Sequence, residues 1–161
     1  MNTRIRKTLI LPLALLCGLA GRAQGNFEDS FTEKSLRIDF ALSGNKDSQS
    51  AAIERLREEP VWGGPRKNLV DTFRYGGYYI NVYDAASDSL LYARGFNTLF
   101  EEWRTTEQAR TETQSWTNSI TIPYPKAPVR IELTARDRSD MRFHPLLTQT
   151  VDPASIFIDR G

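Results

Sequence analysis

Apolar and polar residues alternate along much of the chain with a period of two, a pattern typical of β-strands that bury one face. In residues 36–42 every even position is apolar, from Leu36 to Leu42, whereas Arg37 and Asp39 take the opposite face. The same pattern predicts further strands at residues 78–83, 90–96, 116–122, 129–135, 146–151 and 156–158. Because turn residues separate these segments, the sequence predicts an all-β fold, an antiparallel β-sandwich of Ig-like or jelly-roll-like type.

Two segments depart from the strand pattern, so we expect at most one or two short helical turns beside the strands. Residues 51–59 are rich in good helix formers, and Ile53 and Leu56 have helical spacing. Propensity alone therefore predicts a short helix in this segment. Thr105 and Gln108 have the spacing of a capping box, and Ala109 and Arg110 continue as helix formers, which predicts one short helical turn in residues 105–110.

The beginning of the chain has the composition of a secretory signal peptide. Basic residues come first, an apolar run of 13 residues follows, and small residues end the segment. This run is too short for a permanent membrane span, which needs about 20 residues. We place cleavage after Ala23, so that residues 1–23 are the signal peptide and residues 24–161 form one β-sandwich domain exported to the periplasm, the cell surface or the medium. A lipid anchor at Cys17 is the alternative, although Leu16 stands where lipoprotein signals have a small residue.

The charge of the predicted exported domain argues against nucleic acid as a partner. Residues 1–23 contain four of the 21 basic residues of the chain and none of its 20 acidic ones, so the remainder has a net charge of about −3. Nucleic-acid binding needs a basic patch, and here the arginines are spread along the sequence. The same domain has no cysteine, so the burial of apolar side chains must stabilise it in place of disulfides.

Motifs for catalysis or metal binding are missing from the sequence. A catalytic zinc site needs about three protein ligands, whereas the chain has a single histidine, His144. We therefore expect no metal or cofactor and interpret His144 as a half-exposed residue near the start of an edge strand. Gly-x-Ser-x-Gly and Gly-rich phosphate-binding motifs are also missing. The remaining enzymatic alternative is a glycosidase-type hydrolase with facing carboxylates, drawn from Glu58, Glu59, Glu101, Glu102 and Asp71.

Aromatic residues in two glycine-containing segments are the candidates for ligand contact. Trp62 lies in a loop stiffened by two prolines, and Tyr75, Tyr78 and Tyr79 surround a glycine pair. Rings arranged in this way can bind sugars or peptides through their faces. The competing interpretation is that Trp62 plugs one end of the sandwich, because large rings are usually buried.

A series of short motifs follows in a distinctive order along the chain. They are Glu-Pro-Val-Trp-Gly-Gly at 59–64, Asn-Leu-Val-Asp at 68–71, Gly-Tyr-Tyr at 77–79, Val-Tyr-Asp at 82–84, Leu-Tyr-Ala-Arg-Gly-Phe at 91–96, Glu-Trp-Arg-Thr-Thr at 102–106, Pro-Tyr-Pro-Lys at 123–126 and Val-Asp-Pro at 151–153. In this order they resemble the N-terminal domain of the secreted IgA peptidase family, metallopeptidase family sixty-four. The resemblance extends over about residues 27–159.

The resemblance implies a β-sandwich that precedes a zinc peptidase domain, and it implies an extended strand at residues 51–59. In that family the zinc-binding His-Glu-x-x-His helix belongs to the second domain, and no such motif occurs here. We therefore expect a non-catalytic accessory domain whose partner is a zinc peptidase domain, in cis or in trans. The alternative is a free-standing module that binds a glycan or a host glycoprotein through Trp62 and residues 75–79.

Overall fold

The computed structural model describes residues 26–161, so the predicted signal peptide over residues 1–23 and Cys17 lie outside the described residues. The strands are β1 (Phe31–Gly44), β2 (Gln49–Glu59), β3 (Tyr78–Asp84), β4 (Leu90–Phe96), β5 (Gln114–Pro125), β6 (Val129–Arg136), β7 (Phe143–Val151) and β8 (Ile158–Asp159). Among residues 26–161, helical structure is confined to α1 (Phe27–Ser30), α2 (Leu99–Trp103) and a 3₁₀ helix (Gln108–Arg110). Within the described range, no helix is long and apolar enough to cross a membrane.

The strands form two four-stranded sheets, which confirms the predicted all-β class. The first sheet has the order β5-β1-β2-β8 and the second the order β4-β3-β6-β7. Neighbouring strands are antiparallel except for β2 and β8, which pair in parallel where Leu56 faces Ile158. The predicted final strand is therefore shorter than expected, since Ile156 and Phe157 lie in the turn before β8.

The core lies between the two sheets and follows from the alternation along each strand. The four even positions of β1 from Leu36 to Leu42 are at most 2% exposed. Apolar side chains of β3 and β6 belong to the same buried cluster, among them Ile80, Val82 and Ile131. Burial of a side chain of this size contributes about 1.5–3 kcal/mol to folding, so this interface is the main source of stability.

The helix that propensity predicts over residues 51–59 is wrong, and the strand that the resemblance implied is correct. This segment is part of β2 and pairs with β1, with Phe40 facing Ile53 and Asp39 facing Arg55. The register therefore skips Glu54, as in a β-bulge, and one extra residue brings side chains three positions apart to the same face. Ile53 and Leu56 both pack against the core for this reason. The three-residue spacing that suggested a helix is therefore the spacing that a β-bulge produces in a strand.

Other differences concern the ends of elements. β5 continues through Pro123 to Pro125 although the sequence predicted an end at Pro123. An edge strand tolerates proline because one of its sides needs no hydrogen bonds from a neighbour. The short helical turn predicted in residues 105–110 is present as the 3₁₀ helix, but Thr105 does not cap it, because its hydroxyl donates to the carbonyl of Glu102.

The long connection from β2 to β3 crosses from the first sheet to the second and positions the site described below. Val70 forms a parallel bridge with Ala93 of β4. The backbone N–H of Asp71 donates to the carbonyl of Ala93 at 3.0 Å, and the N–H of Ala93 donates to that of Leu69 at the same distance. The connection is thus fixed to β4 immediately before residues 72–77.

Candidate functional site

The structure does not bring the four predicted contact residues together on one surface. Trp62, Tyr78 and Tyr79 are buried, with 8%, 1% and 3% of their surface exposed, whereas Tyr75 is 75% exposed. The three buried rings present no free face to a ligand in this conformation. Tyr75 alone of the four keeps the geometry that ligand stacking requires.

Trp62 packs into the core at the loop that follows β2. Its indole N–H donates to the carbonyl of Pro65 at 3.1 Å, and its ring meets Tyr92 edge-on with centroids 6.0 Å apart. Gly64 allows the indole to fold back over the loop, because a Cβ there would lie 2.2 Å from the Trp62 ring. This packing supports the interpretation of Trp62 as a structural plug.

Tyr78 and Tyr79 are both buried although they are consecutive residues on β3 and point to opposite faces. Tyr78 faces the core, where its ring stacks on Phe96 and its hydroxyl donates to the Gln49 side chain at 2.8 Å. Tyr79 faces outward but is covered by the loop before β3, where its hydroxyl donates to the carbonyl of Asp71 at 2.9 Å. Phe143 of β7 closes this outer pocket with an edge-on contact at 5.3 Å.

Tyr75 forms an exposed aromatic pair with Phe73, which the sequence analysis did not identify. The two rings are parallel within 3°, with centroids 5.9 Å apart, and Phe73 is also 75% exposed. We call Phe73 and Tyr75 the aromatic platform. The sequence feature that could have identified Phe73 is its two-residue spacing from Tyr75 in a segment outside the predicted strands. In the structure no sheet covers either ring.

The backbone below the aromatic platform is fixed by turns and hydrogen bonds. Arg74, between the two rings, has φ +56°, and its guanidinium lies 5.6 Å from the Phe143 ring centroid. Burial raises the pKa of Asp71, whereas hydrogen bonds to its carboxylate lower it, among them one from the N–H of Phe73 at 2.8 Å. The net result is a pKa below the usual range of an aspartate. Gly76 has φ +100°, and a Cβ there would lie 2.7 Å from the Phe96 carbonyl oxygen.

Arg136, at the end of β6, holds this loop from the other side. Its guanidinium donates to the carbonyls of Arg74, Gly76 and Met141, at 3.2 Å for Gly76 and 3.4 Å for Met141. It also lies 4.5 Å from the Phe143 ring centroid, within the range of a cation–π contact. The loop that carries the aromatic platform is therefore supported by the Arg136 guanidinium and the partly buried ring of Phe143.

The other candidates for chemistry lie on several different elements of the fold. His144 lies in the edge strand β7 with 55% of its side chain exposed, as predicted, and its Nε2 is 2.8 Å from the Asp140 carboxylate. The acidic pairs Glu58–Glu59 and Glu101–Glu102 lie in β2 and α2. Among residues 26–161, no three histidine, cysteine or carboxylate side chains are grouped as metal ligands would be.

A comparison with protein families assigns the chain. The model of the family described as peptidase M64 N-terminus matches residues 26–146, about three quarters of the sequence. The chain belongs to the peptidase M64 N-terminal family. The match confirms the resemblance found in the short motifs. A search of curated proteins gave no match.

The family match contains the sandwich strands β1 to β6 and the start of β7, together with the whole aromatic platform. This M64 N-terminal domain is thus the non-catalytic part of a peptidase family. The turn at Ile156 and Phe157 and the short strand β8 follow the matched region.

The covered position of Tyr79 predicts how stability depends on pH. Burial, followed by the neighbouring Asp71 carboxylate, raises the pKa of Tyr79 from 10 to about 12. Folding therefore favours the neutral phenol, and this stabilisation is lost as the pH rises from about 10 through 12. Between pH 9 and 11 the wild type should lose about 1.3 kcal/mol more unfolding free energy than Tyr79→Phe.

Urea unfolding followed by tryptophan fluorescence at the two pH values measures this difference. Tyr79→Phe should also cost about 1 kcal/mol at every pH, because it removes the hydrogen bond to Asp71. Tyr75→Phe is the matched control and should keep the wild-type pH dependence, since Tyr79 is retained. An identical loss in Tyr79→Phe and the wild type would contradict the assignment.

Proposed function

We propose that this chain is an exported accessory domain that associates with an M64 peptidase domain, in cis or in trans, and orients or recruits substrate for it. The observation that carries the proposal is the family match over residues 26–146 in a chain without the His-Glu-x-x-His motif. Export is supported by the composition of residues 1–23, where a basic segment precedes an apolar run. The catalytic groups then belong to the partner domain.

The surface that suits such an association is an apolar turn next to β8. Ile156 and Phe157 are adjacent in sequence and are 86% and 84% exposed. Single exposed apolar residues are common, but two large ones side by side form a contact that a partner can bury. Their position after the matched region is also where a peptidase domain in the same chain would be joined.

The turn is held in place by contacts that do not involve the two apolar side chains. Arg160 donates to the carbonyls of Pro153 at 2.8 Å and Ser155 at 3.1 Å. The hydroxyl of Tyr124 donates to the same Pro153 carbonyl at 2.8 Å. Arg57 lies 3.3 Å from the Asp159 carboxylate and fixes β8 to β2. Because the backbone is already ordered, burial of Ile156 and Phe157 would cost little conformational entropy.

The test measures binding of the purified chain to a purified M64 peptidase domain by calorimetry. The double variant Ile156→Ser/Phe157→Ser should weaken binding at least tenfold, because it removes the apolar area of the contact. The control Val61→Ser/Leu99→Ser also removes two exposed apolar residues, 71% and 66% exposed, and should bind as the wild type does. Equal binding by all three, or cleavage of casein by the chain alone in a chelator-sensitive manner, would contradict the proposal.

A second function, glycan or glycoprotein binding by a free-standing module, is favoured by the aromatic platform. Sugar rings stack on exposed aromatic faces, and the fixed backbone beneath Phe73 and Tyr75 means that the pair is already arranged for contact. Trp62 has no part in this version of the hypothesis because its ring is buried.

A glycan array tests the second function. The chain should bind a subset of the glycans, and Phe73→Ala/Tyr75→Ala should remove this binding without changing the unfolding midpoint, since both rings are exposed. Phe157→Ala removes an exposed ring elsewhere and should leave array binding intact. The absence of any signal from the wild type across a broad array would exclude this function.

A further inference from the structure

An open cleft of about 620 Å³ lies at one end of the sandwich, where the loops of both sheets meet. Its walls are the turn between β1 and β2, the segment that follows α2, and the turn between β6 and β7 with the beginning of β7. A volume of this size is in the range of small-ligand sites. We call it the basic cleft, defined by Lys46, Gln49, Arg104, Arg136, Arg138 and His144.

Positive charge dominates the basic cleft although the domain as a whole is slightly acidic. Lys46, Arg104, Arg136 and Arg138 line it, against the carboxylates of Asp47 and Asp137. The Asp137 carboxylate is already engaged by the backbone N–H and hydroxyl of Ser139, at 2.7 and 2.6 Å. These bonds orient Asp137 without removing its charge, and four basic against two acidic side chains still leave this concave surface with a net positive charge, which attracts anions.

None of the four cations is neutralised by a carboxylate in the part of the chain that the structure describes. The ion pairs within residues 26–161 involve other basic residues. Arg104 is oriented instead by two backbone carbonyls, with Nε 2.7 Å from Asn45 O and Nη2 3.0 Å from Lys46 O. A guanidinium fixed in this way, with the Tyr78 hydroxyl beside it, keeps its full positive charge.

The basic cleft also offers neutral groups that suit hydroxyl-rich ligands. The side-chain oxygen of Gln49 accepts from Tyr78, so its amide nitrogen, which makes no hydrogen bond within residues 26–161, remains as a donor. Ser48 and Ser139 add hydroxyls to the lining, and Asp47 adds an acceptor. A bare anion would use only the cations of the cleft. A sugar with an acidic group would also use the neutral donors and acceptors, because its hydroxyls both donate and accept hydrogen bonds.

The aromatic platform and the basic cleft are connected through Arg136. This residue lines the cleft, and its guanidinium donates to the carbonyls of Arg74 and Gly76 in the loop that carries Phe73 and Tyr75. Arg136 thus contacts both the basic cleft and the loop that carries the aromatic platform. A saccharide of a few units could contact both, with an acidic group in the cleft and a sugar ring on the platform.

We infer that the basic cleft binds an acidic saccharide, with a carboxylate or sulfate at Lys46, Arg104 and Arg138. This inference rests on the glycan-binding candidate described above and names the chemical class of its ligand. The carboxylate and the sulfate are two sources of the same negative charge, so the test includes both.

The test uses calorimetry with 3′-sialyllactose, 3′-sulfolactose and lactose, which share the neutral disaccharide and differ in the acidic group. At least one acidic sugar should bind ten or more times tighter than lactose, and the tighter of the two identifies the acidic group. Lys46→Gln/Arg138→Gln should weaken this binding at least tenfold. Both side chains are exposed and make no hydrogen bond in the described part of the chain, so the fold should be unaffected.

The matched control is Arg55→Gln/Lys67→Gln, which removes the same charge from two exposed positions outside the basic cleft and should bind as the wild type does. Equal affinity for lactose and both acidic sugars would overturn the inference and leave glycan binding by the aromatic platform in place. No binding of any sugar would overturn both. A triglutamate peptide that binds as tightly as the acidic sugars would show that the cleft takes acidic groups without regard to the saccharide.

Discussion

The fold depends above all on the burial of one face of β1 against the second sheet. β1 is hydrogen-bonded along both edges, to β5 and to β2, and its even side chains from Leu36 to Leu42 meet those of β3 and β6 between the sheets. The predicted exported domain has no cysteine, so this contact cannot be reinforced by a disulfide. Stability therefore requires that the large aromatic side chains also fill the core, and most of them do.

This requirement explains why the aromatic residues most conspicuous in the sequence are poor candidates for ligand contact. The period-two pattern was sufficient to predict the strands, because each strand has one buried face. It could not show that the outer face of β3 is covered as well, since the loop over Tyr79 folds back through contacts with Ala93 of β4 and Phe143 of β7. Phe73 and Tyr75 stay exposed because they are in that covering loop itself.

Residues 51–59 illustrate a second limit of sequence analysis. Helix propensity and the spacing of Ile53 and Leu56 agreed on a helix, yet the segment is a strand in which one inserted residue produces that spacing. The deciding interaction is the pairing with the preceding strand β1 and with β8, which lies about 100 residues further along the chain. Similarly, the basic cleft could not be predicted, because Lys46, Arg104 and Arg138 come from three separate loops that only the folded sandwich brings together.

In this account the sandwich is a rigid support, and association takes place at its ends and turns. Hydrogen–deuterium exchange of the chain, alone and with a purified M64 peptidase domain, tests this most directly. In the free chain the backbone N–H of Phe157 donates to the Ser155 hydroxyl at 3.2 Å and that of Ile158 to the Ser155 carbonyl at 3.4 Å, and because these bonds are long we expect both groups to exchange readily. We predict slower exchange over residues 155–158 in the presence of the peptidase domain, with β1 and β6 unchanged. Unchanged exchange over residues 155–158 would contradict the central claim that this domain associates with a peptidase through that turn.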